Sequence, residues 1–194
     1  MRAFYRRRGK RLLDLALTIP ALICLAPLMG LVALLVRARL GAPVLFRQVR
    51  PGLNARPFTM IKFRTMTDAR DAAGLLLPDA RRLTPFGRFL RATSLDELPE
   101  LWNVIRGEMS LVGPRPERGV FVERFRERIP GYDQRHRVKA GMTGWAQVNG
   151  WRGNTSLRHR VQCDLYYIAH WSLALDLRIL LLTLWRGIRH RNAY

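Results

Sequence analysis

An apolar run near the N terminus constrains this chain more than any other feature of its sequence. Residues 12–36 are apolar except at five polar or helix-perturbing positions: Asp14, Thr18, Pro20, Pro27 and Gly30. A straight helix of this length would exceed the ~30 Å hydrocarbon core of a bilayer. No small-residue cleavage site follows and the chain becomes basic again, so the run is unlike an ordinary signal peptide. The sequence therefore predicts a helix inside a membrane.

Two topologies fit this helix. Basic residues flank the run on both sides, within residues 6–11 and 37–50. Because cations favour the cytoplasmic side of a membrane, this arrangement indicates that both ends face the cytoplasm. Pro20 and Pro27 can each kink the helix, although backbone groups freed at a bend need partners that lipid does not supply. From the residues alone, a spanning helix and a re-entrant helix are equally well supported.

The charge of the chain indicates an anionic partner. The sequence has 34 Lys and Arg residues against 14 Asp and Glu, a formal net charge of +20, and only three of the cations are Lys. Guanidinium groups bind phosphate bidentately, so the partner is a nucleic acid, an anionic membrane or a phosphorylated substrate. A nucleic-acid-binding protein would not explain the apolar run, and no DNA-reading motif is visible. Cys24 and Cys163 fit neither a disulfide framework nor a zinc site.

The rest of the chain has the pattern of a water-exposed domain. Two short strands, at 44–46 and 58–61, flank a turn at 51–54. Helices are predicted at 86–92, 98–106 and 157–169, and a strand at 145–148. Residues 68–82 predict a helix broken by a loop, and residues 117–137 show helical spacing. Residues 171–188 predict either an interfacial amphipathic helix, with Trp171 and Trp185 at headgroup depth, or a core helix.

Three short motifs contain residues that could carry chemistry. Asp96 and Glu97 follow Ser94, so they form either a capping box or an ionised carboxylate pair suited to nucleophilic attack or Mg²⁺ binding. Arg115 lies between two prolines in Gly-Pro-Arg-Pro, which indicates either a solvated turn or an arginine aimed at a phosphate. Residues 141–153 are glycine-rich and include Trp151 and Arg152, which fits a hairpin or a nucleotide loop. The P-loop pattern and the dinucleotide fingerprint are both absent.

Taken together and in order, these motifs resemble the bacterial sugar transferase family, the monotopic polyprenyl-phosphate phosphoglycosyltransferases. The resemblance runs from about residue 10 to residue 194. The matching segments are the apolar run with Pro27, KFRTM at 62–66, SLDEL at 94–98, GPRP at 113–116 and GMTGWAQVNG at 141–150.

The resemblance implies an α-rich α+β fold with a small β-hairpin element and interfacial helices. Residues 1–40 would form a re-entrant membrane helix broken near Pro27, and residues 41–194 a catalytic domain, the two making one integrated unit. Many relatives have Ser where this chain has Ala26, so the bend loses one candidate hydrogen bond. The chain could be a natural short form or a catalytic fragment, because hexose-type relatives carry additional N-terminal membrane helices.

The resemblance also implies the site. Asp96 would be the nucleophile and a Mg²⁺ ligand, and Glu97, its partner in the catalytic dyad, would either position the metal or handle a proton. Substrate phosphates would be bound by Arg91, Arg115, Lys62 and Arg152.

The implied reaction moves a sugar-1-phosphate from a UDP-sugar to undecaprenyl phosphate through an aspartyl-phosphosugar, releases UMP, and begins exopolysaccharide assembly. Residues 149–153, 164–167 and 191–194 look most like members that use a hexose, glucose or galactose; an acetamido sugar and a non-catalytic membrane adaptor are the alternatives. The expected location is the bacterial inner membrane, with the catalytic part facing the cytoplasm. The expected partners include anionic lipid but no nucleic acid, and a homo-oligomer stays open.

Overall fold

The computed structural model describes residues 4–153 and 155–187 and is rich in helix, with two small sheets. A π-helical turn at Tyr5–Gly9 leads directly into the long helix α1, Lys10–Leu40. The remaining elements, in chain order, are β1 (Leu45–Pro51), β2 (Pro57–Phe63), α2 (Asp79–Arg82), α3 (Pro85–Ala92), α4 (Glu100–Arg106), β3 (Met109–Val112), α5 (Gly119–Arg128), β4 (Ala140–Thr143), α6 (Trp145–Val148), α7 (Leu157–His170) and α8 (Leu173–Gly187). Single 3₁₀ turns lie at Leu53–Ala55, Leu95–Glu97 and Tyr132–Arg137.

The predicted long apolar helix is confirmed as α1, which continues through Pro20 and Pro27. Within the described residues it is the only helix long and apolar enough to cross a bilayer, and only 11% of its most apolar 18-residue window is buried. Side chains such as Ile23 (69% exposed) and Leu34 (70% exposed) face outward. An apolar surface of this kind needs lipid or another apolar partner.

Both ends of α1 pack against the rest of the molecule. Towards the C-terminal end, a buried apolar cluster joins α1 to β2 and α3: Val32, Val36, Leu40, Phe63 and Leu90. Towards the N-terminal end, Asp14 accepts hydrogen bonds from the Ser110 hydroxyl (3.0 Å) and the Leu111 amide (3.1 Å) of β3. The two docked ends leave the middle of the helix uncovered.

A buried polar cluster, here called the anchor network, fixes the start of α1 to α7 and α8. Its members are Tyr5, Lys10, Asp14, Tyr167 and Asp176. The Asp176 carboxylate accepts from the Tyr5 hydroxyl at 2.5 Å and the Tyr167 hydroxyl at 2.8 Å, and lies 2.9 Å from the Lys10 ammonium. Each Asp176 oxygen therefore has a donor or a cation, as a buried carboxylate requires.

The two sheets differ in how well the sequence predicts them. β1 and β2 form the predicted antiparallel hairpin, with Leu45 opposite Phe63 and Pro51 opposite Pro57. The second sheet pairs β3 with β4 in parallel and was not predicted. It needs a close backbone approach at Gly113 and Gly141, because a Cβ added to Gly141 would lie 2.1 Å from the Gly113 nitrogen. The glycine-rich segment thus serves chain packing here.

Two predicted elements are wrong. Residues 145–148 form a helical turn, α6, rather than a strand. The Val148 amide donates to the Gly144 carbonyl (3.0 Å), and the Gln147 side-chain Nε2 donates to the Met142 carbonyl (2.8 Å), so the chain closes on itself. Residues 68–82 are largely irregular, with only α2 helical. There the Asp71 carboxylate accepts from the amides of Ala73 and Leu75 and forms a turn that competes with a helix.

Helix α8 has one buried face and one exposed apolar face. Asp176 and Ile179 are fully buried, whereas Leu181, Leu184 and Trp185 are exposed. This distribution is typical of a helix that lies in a membrane interface and favours the interfacial interpretation over an ordinary core helix.

Candidate active site

The acid pair lies on the 3₁₀ turn between α3 and α4. Ser94 precedes it with φ 56°, in the left-handed region, and its side chain makes no capping hydrogen bond. The predicted capping box is therefore wrong. The turn is closed instead by the Glu97 amide donating to the Ser94 carbonyl at 3.1 Å, which places two adjacent carboxylates on a tight, strained bend.

The Asp96 carboxylate is buried, and the described residues supply no direct partner for it. Asp96 is 5% exposed. No residue in the described part of the chain donates a hydrogen bond to its carboxylate or places a cation within 4 Å of it. Burial, followed by the charge of Glu97, raises the pKa of Asp96 to about 6, against the opposing charges of Lys62, Arg115 and Arg91. The carboxylate is therefore mostly ionised at pH 7 and keeps its lone pairs available.

Glu97 is held by two cations. Its Oε1 atom accepts from the Lys62 ammonium at 2.7 Å and from the Arg115 guanidinium, which also reaches Oε2 at 3.3 Å. Burial raises the pKa of Glu97, but Arg115 and Lys62 outweigh burial and lower it well below its usual range. A carboxylate held ionised in this way is a poor proton carrier and a good support for its two cations.

Glu100 is a member of the site that the sequence reasoning missed. It is fully buried in the first turn of α4, and its Oε1 atom lies 3.1 Å from the Lys62 ammonium. Burial raises its pKa, and the charge of Glu97 adds to that effect. Its spacing of four residues from Asp96 was the available signal, but a Glu in a first turn is common for reasons of helix stability alone.

Lys62 stands between these carboxylates. Burial and Arg115 lower the pKa of Lys62, but the combined charges of Glu100, Glu97 and Asp96 outweigh them, and its pKa is raised. Lys62 is therefore a protonated, buried ammonium at neutral pH. We call Lys62, Asp96, Glu97, Glu100 and Arg115 the acid-pair cluster.

The backbone around Arg115 is fixed by the second sheet. The Gly113 amide donates to the Thr143 carbonyl and the Gly141 amide donates to the Pro114 carbonyl, both at 2.9 Å. The carbonyl of Arg115 itself accepts from the buried Arg135 guanidinium at 2.8 Å. The Gly-Pro-Arg-Pro segment is thus a clamped loop that directs its arginine towards Glu97 rather than a solvated turn.

The other two predicted phosphate ligands lie outside the cluster. Arg91, on α3, donates from Nε to the Thr65 hydroxyl at 3.0 Å, and its charge is close enough to lower the pKa of Asp96. Arg152 lies in a half-exposed loop, and no hydrogen bond or ion pair joins it to the acid pair in the described chain. Its neighbour Gly153 lines the cavity described next.

A cation-rich cavity of about 260 Å³ opens beside Lys62 and Arg115. Three further arginines line it, Arg50, Arg118 and Arg160, none of which the sequence distinguished from the many others. Burial, followed by the charges of Arg118 and Arg115, lowers the pKa of Arg50 to about 10. Crowded guanidinium groups of this kind favour a multiply charged anion such as a diphosphate.

The side chains near the acid pair limit how a metal ion could be bound. Among residues 4–153 and 155–187, no three His, Cys, Asp or Glu side chains come together as a metal site. Mg²⁺, however, is commonly bound by one or two carboxylates together with substrate phosphates. The buried carboxylate of Asp96, which accepts no hydrogen bond from the described residues, fits that second arrangement.

Comparison with known proteins identifies the family. The model of the family described as "Bacterial sugar transferase" matches residues 5–190. The chain belongs to the bacterial sugar transferase family. This confirms the resemblance seen in the motifs and assigns the protein to a class of transferase enzymes.

Three relatives illustrate the range within this sugar transferase family. The chain is 49% identical over 174 residues to "Uncharacterized sugar transferase EpsL" of Bacillus subtilis, covering 90% of this chain and 84% of the relative. It is 44% and 47% identical to proteins of Klebsiella pneumoniae and Xanthomonas campestris, each named "UDP-glucose:undecaprenyl-phosphate glucose-1-phosphate transferase". Those matches cover 95% and 96% of this chain but only 41% and 40% of the relatives. This sugar transferase therefore spans about two fifths of their length.

Proposed function

We propose that this protein transfers a hexose-1-phosphate from a UDP-hexose to undecaprenyl phosphate, with Asp96 as the nucleophile. The observation that carries the proposal is the Asp96 carboxylate, which is buried, mostly ionised at pH 7 and without a donor among the described residues. It lies near Lys62 and Arg115, which with three further arginines and Glu117 line the cavity. The names of the Klebsiella and Xanthomonas relatives supply the donor and the acceptor.

The reaction would proceed in two displacements. An Asp96 oxygen attacks the sugar-linked phosphorus and forms a P–O bond, while the bond from that phosphorus to the bridging oxygen breaks and UMP leaves with the electron pair. A phosphate oxygen of undecaprenyl phosphate then attacks the same phosphorus and displaces Asp96. Two separated half-reactions allow a water-soluble donor and a lipid acceptor to use one carboxylate in turn.

The surrounding residues would reduce the repulsion between this carboxylate and the donor phosphates. Arg115 and Lys62, both held by Glu97, supply fixed positive charge at the reacting phosphorus. Arg91 and the arginines of the cavity would bind the diphosphate, and Arg152 would reach it from the loop beside Gly153. Bound Mg²⁺, held by Asp96 and the donor phosphates, would supply further charge neutralisation.

The membrane arrangement we propose is re-entrant, with both ends of α1 on the cytoplasmic face of the inner membrane. A straight helix of 31 residues is about 46 Å long. Both ends of α1 nevertheless dock on one body, and the uncovered middle is the apolar part. Pro20 and Pro27 lie in that uncovered stretch, where a bend would return the chain to the side from which it entered.

The test is UMP release by the purified protein with undecaprenyl phosphate, Mg²⁺ and a panel of UDP-sugars that includes glucose, galactose and acetamido sugars. We expect one UDP-hexose to be preferred and Asp96→Asn to be inactive while it still binds membranes. Asp79→Asn, on exposed α2, is the matched control and should be fully active. UMP release by Asp96→Asn at the wild-type rate would contradict the nucleophile assignment, and membrane binding with no release from any donor would favour an adaptor.

A further inference from the structure

A second cavity, of about 280 Å³, lies at the start of α1 and shares no lining residue with the cavity beside the acid-pair cluster. Five cations and one acid line it: Arg6, Lys10, Arg11, Arg137, Lys139 and Asp14. Apolar and aromatic side chains, including Leu53, Val138 and Trp171, also line it. The lining therefore combines positive charge with apolar surface.

Three of these cations already have partners. Lys10 lies 2.9 Å from Asp176 and 3.4 Å from Asp14. Arg11 donates to the carbonyls of residues 104 and 105, at the C-terminal end of α4, at 2.5 and 2.6 Å. Arg6 donates to the Trp171 carbonyl at 3.1 Å. These interactions account for the structure of the cavity wall without requiring a ligand.

Arg137 and Lys139 are different, because no carboxylate of the described chain lies within 4 Å of either cation and neither donates a hydrogen bond there. The Lys139 nitrogen and the Arg11 guanidinium carbon both lie near one point, the position that a Cβ on Gly107 would occupy, at 3.4 and 3.6 Å from it. These two cations therefore lie close together. Burial, then Arg11, lowers the pKa of Lys139. An alternative role for Lys139 is to complement the negative C-terminal end of α4. Arg11 does this through hydrogen bonds, whereas Lys139 donates none to a described carbonyl. The acid in the described lining, Asp14, raises the pKa of Lys139 from a distance but is itself engaged by Lys10, Ser110 and the Leu111 amide. Converging cations that form no ion pair in the described chain favour an anionic ligand.

The position of the cavity indicates what carries the anion. The apolar run begins at residue 12, so Lys10 and Arg11 lie where α1 enters its apolar stretch. Leu13 and Leu17 follow Lys10 one and two turns further along the helix. The Trp171 indole nitrogen is buried and has no hydrogen-bond partner among the described residues. A polar head held in the cavity would thus have apolar helix surface next to it for a tail.

We propose that this cavity binds the phosphate head group of an anionic phospholipid, with Arg137 and Lys139 as its principal ligands. Undecaprenyl phosphate fits less well as the occupant. Its phosphate must reach Asp96, whereas no member of the acid-pair cluster lines this cavity. The site would hold the base of α1 at the level of the lipid head groups.

Native mass spectrometry of the full chain in a neutral detergent tests the proposal. The protein is titrated with phosphatidylglycerol, phosphatidylcholine, undecaprenyl phosphate or inorganic phosphate. We expect one phosphatidylglycerol per chain, bound at least fivefold more tightly than phosphatidylcholine. The double variant Arg137→Ala, Lys139→Ala should lose at least fivefold in phosphatidylglycerol affinity. The control Arg124→Ala, Arg128→Ala, which removes the same charge from the exposed surface of α5, should change affinity less than twofold.

Several outcomes would overturn the proposal. These are equal phosphatidylglycerol binding by the double variant, displacement of the lipid by millimolar inorganic phosphate, and tighter binding of undecaprenyl phosphate at the same residues. If the double variant does not fold, Arg137→Ala alone, at an exposed position, should still weaken binding at least twofold, and no change would be equally decisive. Because this assay contains no sugar donor, its failure would leave the proposed transferase reaction untouched.

Discussion

The anchor network and the acid-pair cluster are both buried and both rich in charge, but they treat their carboxylates differently. In the anchor network, Asp176 receives two tyrosine hydroxyls and an ammonium, and Asp14 receives a hydroxyl and an amide. In the acid-pair cluster, Asp96 has no donor among the described residues, and Glu100 has the Lys62 ammonium 3.1 Å from one of its oxygens as its described partner. A carboxylate that stabilises a fold is saturated with donors, whereas one that reacts must keep a lone pair available.

The largest expected effect is on Asp96 itself. Asp96→Asn removes the proposed nucleophile, so turnover should fall by about 10⁶-fold, the order of loss seen when an enzyme's nucleophile is removed. Steady-state UMP release measures the loss, with Asp79→Asn as the control of unchanged activity. The fold should tolerate the change, because Asn avoids the cost of burying a charge. A lower melting temperature than wild type would show that Asp96 stabilises the fold, and the contrast between the two networks would fail.

The second expected effect is on the anchor network, where stability should fall and activity should be kept. Asp176→Asn leaves the Lys10 ammonium buried with Asp14 as its only described partner, and breaking a buried pair typically costs about 3 kcal/mol or more. Denaturant titration in detergent should show this loss, while turnover per folded molecule stays within about twofold of wild type. A large loss of turnover in folded Asp176→Asn would instead couple the anchor network to catalysis.

Glu97→Gln is expected to have an intermediate effect on activity. The change keeps the shape of the side chain but removes the charge that holds Lys62 and Arg115, so kcat/KM should fall by about 10²-fold, near the value of one misplaced charge stabiliser. Glu123→Gln, on α5, is the control. If Glu97→Gln were as inactive as Asp96→Asn, Glu97 would take part in the reaction directly.

The smallest effect is a pH dependence. Because burial raises the pKa of Asp96 to about 6, kcat/KM should decrease about tenfold per pH unit below that value, as the nucleophile becomes protonated.

Stability should change in the opposite direction, since a carboxyl whose folded pKa is raised favours the folded state as pH falls from about 6 to about 4. Wild type and Asp96→Asn should therefore converge in stability at low pH. A wild-type pH–rate profile that stays flat down to pH 5 would mean that Asp96 is not the group that must be ionised.

The sequence predicted the elements that depend on local chemistry. The apolar run predicted α1, and turn residues predicted the β1–β2 hairpin. The helix predicted at 98–106 does end at Gly107, whose φ is 79°. It did not predict the β3–β4 pairing, because residues 109 and 140 meet only through tertiary contacts. The same limit applied in the site. Asp96, Glu97 and Arg115 stand out in motifs, whereas Glu100 and the cavity arginines resemble ordinary helix and surface residues until the fold brings them together.

The most direct test of the account is to trap the proposed covalent intermediate. Wild-type protein, incubated with its UDP-hexose and Mg²⁺ but without undecaprenyl phosphate, would be quenched at low pH and digested with trypsin. The peptide from residue 92 to residue 106, which trypsin releases between Arg91 and Arg106, contains Asp96. The account predicts that this peptide carries a hexose phosphate on Asp96 and that Asp96→Asn carries none. Release of UMP with no adduct, or an adduct on another peptide, would contradict it.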